Sequence, residues 1–497
     1  MSGNEITRVE FPASADGRRS TTAVGRAVVA DALRQVDPVG ALAAEQETNW
    51  RAGYVVHFRR LVEAGLASRD AAVSVARGGL QSLYRQMRVV HADGQEAGLD
   101  SLMSAPARRA LATVTVSGAA EADGELSLPY HGEQLRGAAL LRRLEAWADN
   151  GVVEPSCAEA VGTVAAHPEW LRLPGRTVAV LGAGAEVGPL PVLLSWGARV
   201  IAVDLPRPAI WERLLDTARR SAGTLLAPVD RDAAGQHQSA SDEAIVHSGG
   251  LDLISDVPAV ADWLAAMDGP LVLGNYVYAD GAANVRVSAA VDALTVRLQA
   301  DRDDVALAVL ATPTDVFAVP AEAVAQSVRA YATRPRSVKL ASRPLRTLSG
   351  GRLLRRAYMP GADPGISDSL VVQQGPNYAL AKRLQRWRAT LARDGGAIVS
   401  MNVAPPSRTR SVVQNRVLAA AYAGARRFGV EVFEPATCKV LMAALLVHDL
   451  HTGGGPAHTH PWQDEAYAAA HGGLWRIAYA PRSALGLAAV LGYAASR

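Results

Sequence analysis

The stretch that most constrains this chain is residues 177–188, TVAVLGAGAEVG, where a continuous apolar β-type run breaks into three glycines within seven residues. An apolar helical segment follows and stops at Trp196-Gly197, and a second β-type run, ARVIAVD, closes on Asp204, 22 residues after Gly182. Uninterrupted apolar runs of this length suit strands of a parallel sheet that is covered on both faces. The texture recurs at GTLLAPVD, GPLVLGNY, DVALAVLAT and GAIVSMNV, separated by longer segments that read as amphipathic helices. Strands alternating with helices predict an α/β fold, a doubly wound parallel sheet, over residues 172–440. Upstream, apolar residues from about 25 to 170 recur at helical spacing, as in FRRLVEAGLASRDAAVSVARGGLQSLYRQM, and predict an all-α N-terminal domain over 1–171.

A strand, a glycine turn opening a helix and an acid about 20 residues on make a dinucleotide site credible. In that reading Gly182 allows the tight turn, Gly184 or its neighbour lets backbone N–H groups approach a pyrophosphate, and Gly188 lets the helix pack close on the strand. Asp204 would accept hydrogen bonds from an adenosine ribose, favouring NAD over NADP, a preference that Arg207 weakens. S-adenosylmethionine sites use the same turn and acid.

Composition matters at one point. The chain has 48 Arg and only 3 Lys, at 339, 382 and 439, so each lysine invites inspection. Lys382 follows Tyr378 by four residues in GPNYALAKRLQRWRATL, a predicted helix, so both side chains leave one face. With 12 Tyr and 3 Lys in 497 positions, about 0.07 such Y-x-x-x-K pairs are expected by accident. A phenol with a pKa near 10 needs help to exchange a proton at neutral pH, and a compact ammonium stabilises its phenolate in a way a planar guanidinium does not.

The Y-x-x-x-K helix, followed by a strand that ends in Asn402-Val403-Ala404-Pro405-Pro406, resembles the short-chain dehydrogenase/reductase family over roughly 172–440. The resemblance implies a Rossmann-like sheet and hydride transfer between NAD or NADP and a carbonyl or secondary alcohol. It implies Tyr378 as general acid/base, Lys382 lowering its pKa and holding the ribose, and Asn284 anchoring a proton-relay water. Thr312, or failing it Thr314, would supply the hydroxyl that orients the substrate oxygen. Asp230 takes the position of an acid near adenine, Asn275 lies in a shortened N-N-A-G element, and Pro405 and Thr409 fall near the nicotinamide. Departures are Glu186 in place of the turn's middle glycine and about 50 extra residues between Thr312 and Tyr378.

That insert, about 329–375, is strongly basic. Eight Arg and one Lys fall between Arg329 and Arg356 without one acid, a local +9 in a chain of net +3. It reads as a solvated or subunit-contacting face, or as a phosphate site for the NADP 2′-phosphate, coenzyme A or a carrier-protein prosthetic arm. A nucleic-acid partner is not expected, because interleaved aromatics are missing. The 441–497 segment is His-rich and is expected over the substrate cleft. Its H-x-H at His458 and His460 lacks a fixed-spacing partner, so no metal site is expected. Apolar stretches fall short of a membrane span, and the N-terminus has no signal-like apolar core, so the expectation is a cytoplasmic protein. A small-molecule substrate and a homo-oligomer are expected as partners. Two rival readings remain: a dehydratase or epimerase on the same scaffold, and a non-catalytic binding or scaffold protein.

Overall fold

A computed structural model describes residues 7–231 and 242–495. The chain opens with β1 (Arg8–Glu10), then α1 (Thr21–Leu33), α2 (Pro38–Glu45), α3 (Trp50–Gly65) and α4 (Arg69–Gln86). The side chains of Ser20, Asp37 and Ser68 cap α1, α2 and α4, each accepting an otherwise unpaired backbone N–H. β2 (Arg88–Val90) and β3 (Glu96–Gly98) complete a three-stranded antiparallel sheet with β1. Next come β4 (Leu111–Ser117), a hairpin of β5 (Leu128–Tyr130) and β6 (Glu133–Leu135), and α5 (Gly137–Asp149) and α6 (Pro155–Ala166).

The α/β alternation then begins: β7 (Thr177–Leu181), α7 (Leu190–Ser195), β8 (Arg199–Val203), α8 (Pro208–Arg219), β9 (Thr224–Asp230), α9 (Asp242–Ser248), α10 (Val257–Ala265), β10 (Leu271–Asn275), α11 (Ala282–Asp301) and β11 (Val305–Ala311). Between β11 and the helix of Tyr378 come β12 (Val316–Val319), α12 (Ala321–Ala332), α13 (Arg336–Leu348) and β13 (Gly365–Asp368), the last two within the basic insert. After it run α14 (Pro376–Asp394), β14 (Val399–Val403), α15 (Arg410–Gln414), α16 (Arg416–Ala425), α17 (Pro435–His451), α18 (Pro461–Ala466) and α19 (Pro481–Ala495).

The central sheet has the spatial order β14-β11-β10-β7-β8-β9-β4, with all pairs parallel except β4 with β9. After β9 the chain crosses to the far side of β7, so the topological switch point falls between β7 and β10, where open α/β sheets hold ligands. Side chains alternate strictly between two cores: Ala179 and Leu181 face one, Val178 and Val180 the other. The first core is covered by α1–α4, α10, α11 and α14, the second by α5–α9 and α17.

The expectation of an all-α N-terminal domain is corrected. Six strands lie before residue 171, and β4, LATVTVS, pairs with β9 along seven residues as the edge of the main sheet. Its β-branched alternation is a strand signal, but one strand among six helices does not disturb helical periodicity over the whole region. The N-terminal helices also share their core with the sheet. Gly79 of α4 lies under Trp387 of α14, and a Cβ there would overlap the indole ring. A helix-interior glycine costs about 1 kcal/mol relative to alanine, yet here it lets α4 brace the helix that carries Tyr378.

Candidate active site

Thr312 follows β11, and Tyr378 and Lys382 stand in the first two turns of α14, so strand order alone brings them to the C-terminal end of the sheet. The Thr312 side chain stands close enough to the Tyr378 phenol to influence its titration. Burial raises its pKa, the Thr312 contact pulls it back, and the negative charge of Asp315 raises it again. Tyr278 meets the Tyr378 ring edge-on at 6.2 Å, and Tyr422 of α16 is close enough for its own titration to be coupled to Tyr378. Thr312 and Thr314 share a hydrogen bond of 2.9 Å, so the two alternatives at this position form one hydroxyl pair.

Lys382 is placed one turn behind Tyr378. Its ammonium donates to the Leu310 carbonyl at 3.3 Å and to Gln385 Oε1 at 3.0 Å, and burial lowers its pKa to about 8. Gln385 Nε2 continues to Asn275 Oδ1 at 3.4 Å. The polar chain from Lys382 therefore runs to Asn275 rather than directly to the phenol. Asn284 is buried and accepts the Ala279 N–H at 3.2 Å, which fastens the loop between β10 and α11.

What fixes this geometry is a buried ionic network that sequence reading did not find. Asp315, 1% exposed, accepts Arg383 Nη2 at 2.7 Å and Arg386 Nη1 at 2.6 Å. Arg386 also donates to the Val316 carbonyl at 3.0 Å and to Glu465, and lies 4.1 Å over the Phe317 ring. Both arginines belong to α14, so Asp315 ties the loop that carries Thr312 to the helix that carries Tyr378. The signal available in sequence was an acid three residues after Thr312 and two arginines at helical spacing beyond Lys382. In a chain with 48 Arg, arginines at that spacing do not stand out.

The glycine turn departs from expectation. The helix does not open at it: residues 182–189 form turns, and α7 begins only at Leu190 and spans six residues. Gly188 sits in a turn before α7 rather than at a helix–strand crossing, because Gly188 N–H closes back on Ala185 O at 3.0 Å. Gly182 has φ +82, and a Cβ there would come within 2.9 Å of the Tyr276 carbonyl, so only glycine fits comfortably. The first four amides of the turn are spent internally: Gly182 and Ala183 on Val203 O, Gly184 on Asp204 Oδ2 at 2.7 Å, Ala185 on Gly182 O. Glu186 points away from the turn and accepts the Arg410 N–H at 2.8 Å, joining it to the segment after β14.

At the β8 end, Asp204 accepts both Gly184 N–H and Leu205 N–H, and keeps lone pairs for further donors. Asp230 closes β9 opposite Leu111. Pro405 is buried after β14, and Thr409 precedes α15, its hydroxyl 3.1 Å from that of Ser411. For an adenine dinucleotide, the switch point, the Gly182 cradle and the Asp204 carboxylate fit the nucleoside ends, whereas a helix N-terminus for the pyrophosphate is missing at α7.

The C-terminal histidines do not converge. His448 bonds Asp449, His458 bonds Asp464, His471 bonds Glu154, and His451 stacks on Trp170. Among the described residues no group of three or more His, Cys, Asp or Glu could hold a metal ion, and no helix is long and apolar enough to cross a membrane.

No known family profile and no curated protein matches the chain. Among solved structures, the terminal R domain from the myxalamid PKS-NRPS biosynthetic pathway is similar with a TM-score of 0.28 and 15% identity. The match covers 55% of this chain and 61% of that one, so the chain spans less than two thirds of the neighbour's length.

Proposed function

We propose that the protein is an NAD(P)-dependent reductase that acts on a carbonyl group. The observation that carries the reading is the half-buried Tyr378 side chain beside Thr312, with Lys382 one turn along the same helix. When bound, the nicotinamide supplies hydride to the carbonyl carbon. Asp204 and Gly182 would hold the adenosine end, and Lys382 the nicotinamide-side ribose.

The chain's own part is proton delivery. Burial and the nearby Asp315 charge keep Tyr378 protonated, which suits a group that gives a proton to the carbonyl oxygen as charge develops there. Thr312 orients that oxygen and is itself fixed by Thr314.

The reading is tested by titrating the full chain with NADH and NADPH and following nicotinamide fluorescence. Saturable binding of at least one is expected. Binding of neither would remove the reductase reading and leave a non-catalytic binding protein, which the internally spent turn amides favour.

A pH dependence follows from Lys382. Its pKa of about 8 lies below the ordinary lysine value, so its positive charge is lost as pH rises through about 8. Turnover is therefore expected to fall above that pH, and Lys382→Arg, which stays charged, should remove the alkaline limb while lowering the rate at pH 7. A limb that persists unchanged in the variant would assign it to another group.

A further inference from the structure

The basic insert encloses a cleft separate from the glycine turn. Arg59 of α3, Arg355, and Arg482 in the first turn of α19 line it together with one carboxylate, Asp368 of β13. Arg482 Nη1 bonds Asp368 Oδ2 at 2.9 Å, and Arg59 Nε bonds Glu63 at 2.7 Å. Arg355 makes no ion pair among the described residues. Its backbone is held instead: its N–H bonds Ser483 Oγ at 3.0 Å, and its carbonyl accepts Ala480 N–H at 2.9 Å. Ala480 and Pro481 also line the cleft, so the positive N-terminal end of the 15-residue α19 borders it. Other arginines of the insert are held by tyrosines. Arg334 and Arg346 bond the hydroxyls of Tyr479 and Tyr331, at 2.8 and 2.7 Å, and Arg334 and Arg356 lie over the Tyr331 ring.

Three forked guanidinium groups around one carboxylate suit a phosphate or diphosphate, whose oxygens match their geometry. The position selects whose phosphate it is. The adenosine end of a dinucleotide would lie toward Asp204, just after β8. The cleft lies instead against β13, which pairs with β12, the strand that follows β11 just beyond Thr312. Tyr54 of α3 donates its hydroxyl to the Val371 carbonyl at 3.3 Å, and its titration responds to both Arg482 of the cleft and Asp315.

We propose that the Arg59–Arg355–Arg482 cleft binds the phosphate or diphosphate of an organic substrate of the coenzyme A type. That its acyl end is the group reduced at Tyr378 rests on the reductase reading; the phosphate site does not.

The test is calorimetric titration of the full chain with coenzyme A, pantetheine and inorganic pyrophosphate, in wild type, Arg355→Gln and Arg59→Gln. Coenzyme A is expected to bind, pantetheine to bind at least tenfold more weakly, and each variant to lose at least tenfold in coenzyme A affinity. NADPH affinity and the melting temperature should stay at wild-type values. Pyrophosphate binding as tight as that of coenzyme A, and equally lost in the variants, would support the phosphate site but overturn the organic source. Coenzyme A binding that is absent in wild type, or unchanged in both variants, would overturn the proposal. If the variants lose coenzyme A while no dinucleotide binds at all, the cleft stands and the reductase reading falls.

Discussion

Tyr378→Phe is expected to lower turnover by about a thousandfold while leaving NADPH affinity within twofold of wild type. The substitution removes one oxygen from a ring that keeps its packing: the edge-on contact with Tyr278 at 6.2 Å needs no hydroxyl. The lost atom is the one beside Thr312, in the place from which a proton would be given to the substrate oxygen. The effect should therefore fall on kcat rather than on stability or cofactor binding. The measurement is NADPH-dependent reduction of a panel of aldehydes, ketones and acyl thioesters by both proteins. Turnover of the variant within threefold of wild type would sink the assignment of Tyr378.

The second large effect concerns Asp315→Asn. Replacing this carboxylate leaves two buried guanidinium groups, Arg383 and Arg386, facing a neutral amide, and only Arg386 keeps a second acid, Glu465. Breaking one side of a buried ion pair costs about 3–5 kcal/mol, because the remaining charge stays desolvated. The unfolding midpoint in urea should fall accordingly. A double variant, Asp315→Asn with Arg383→Met, should recover part of the loss by removing the orphaned charge. A single variant as stable as wild type would show that the network carries no stability. In whatever fraction stays folded, the phenol should titrate lower, because the Asp315 charge that raises it is gone.

The sequence was most informative where one local pattern sufficed. Continuous apolar runs marked the strands of a sheet covered on both faces, and the scarcity of lysine drew attention to Lys382, four residues from Tyr378. Patterns that depend on partners elsewhere in the chain were harder to read. β4 is a short alternating run whose meaning comes from β9, more than 100 residues later. Gly188 matched a motif spacing, but the turn closes on itself before α7 begins, and spacing alone does not report where a helix nucleates. Asp315, Arg383 and Arg386 are ordinary charged residues until folding places all three at 5% exposure or less.

By itself, then, the sequence determined the α/β alternation, the glycine at the tight turn after the first parallel strand, and the pairing of a phenol with a lysine on one helix face. These are short-range consequences of hydrophobic periodicity, backbone sterics and helical pitch. The tertiary structure alone decided that Thr312 meets Tyr378 across the insert, that Lys382 turns toward Leu310 and Gln385, and that Asp204 engages the amide of Gly184. It also decided that three arginines distant in sequence share one cleft. Each of these depends on which donors and charges long-range packing removes from water together, and that is set by strand order rather than by neighbours along the chain.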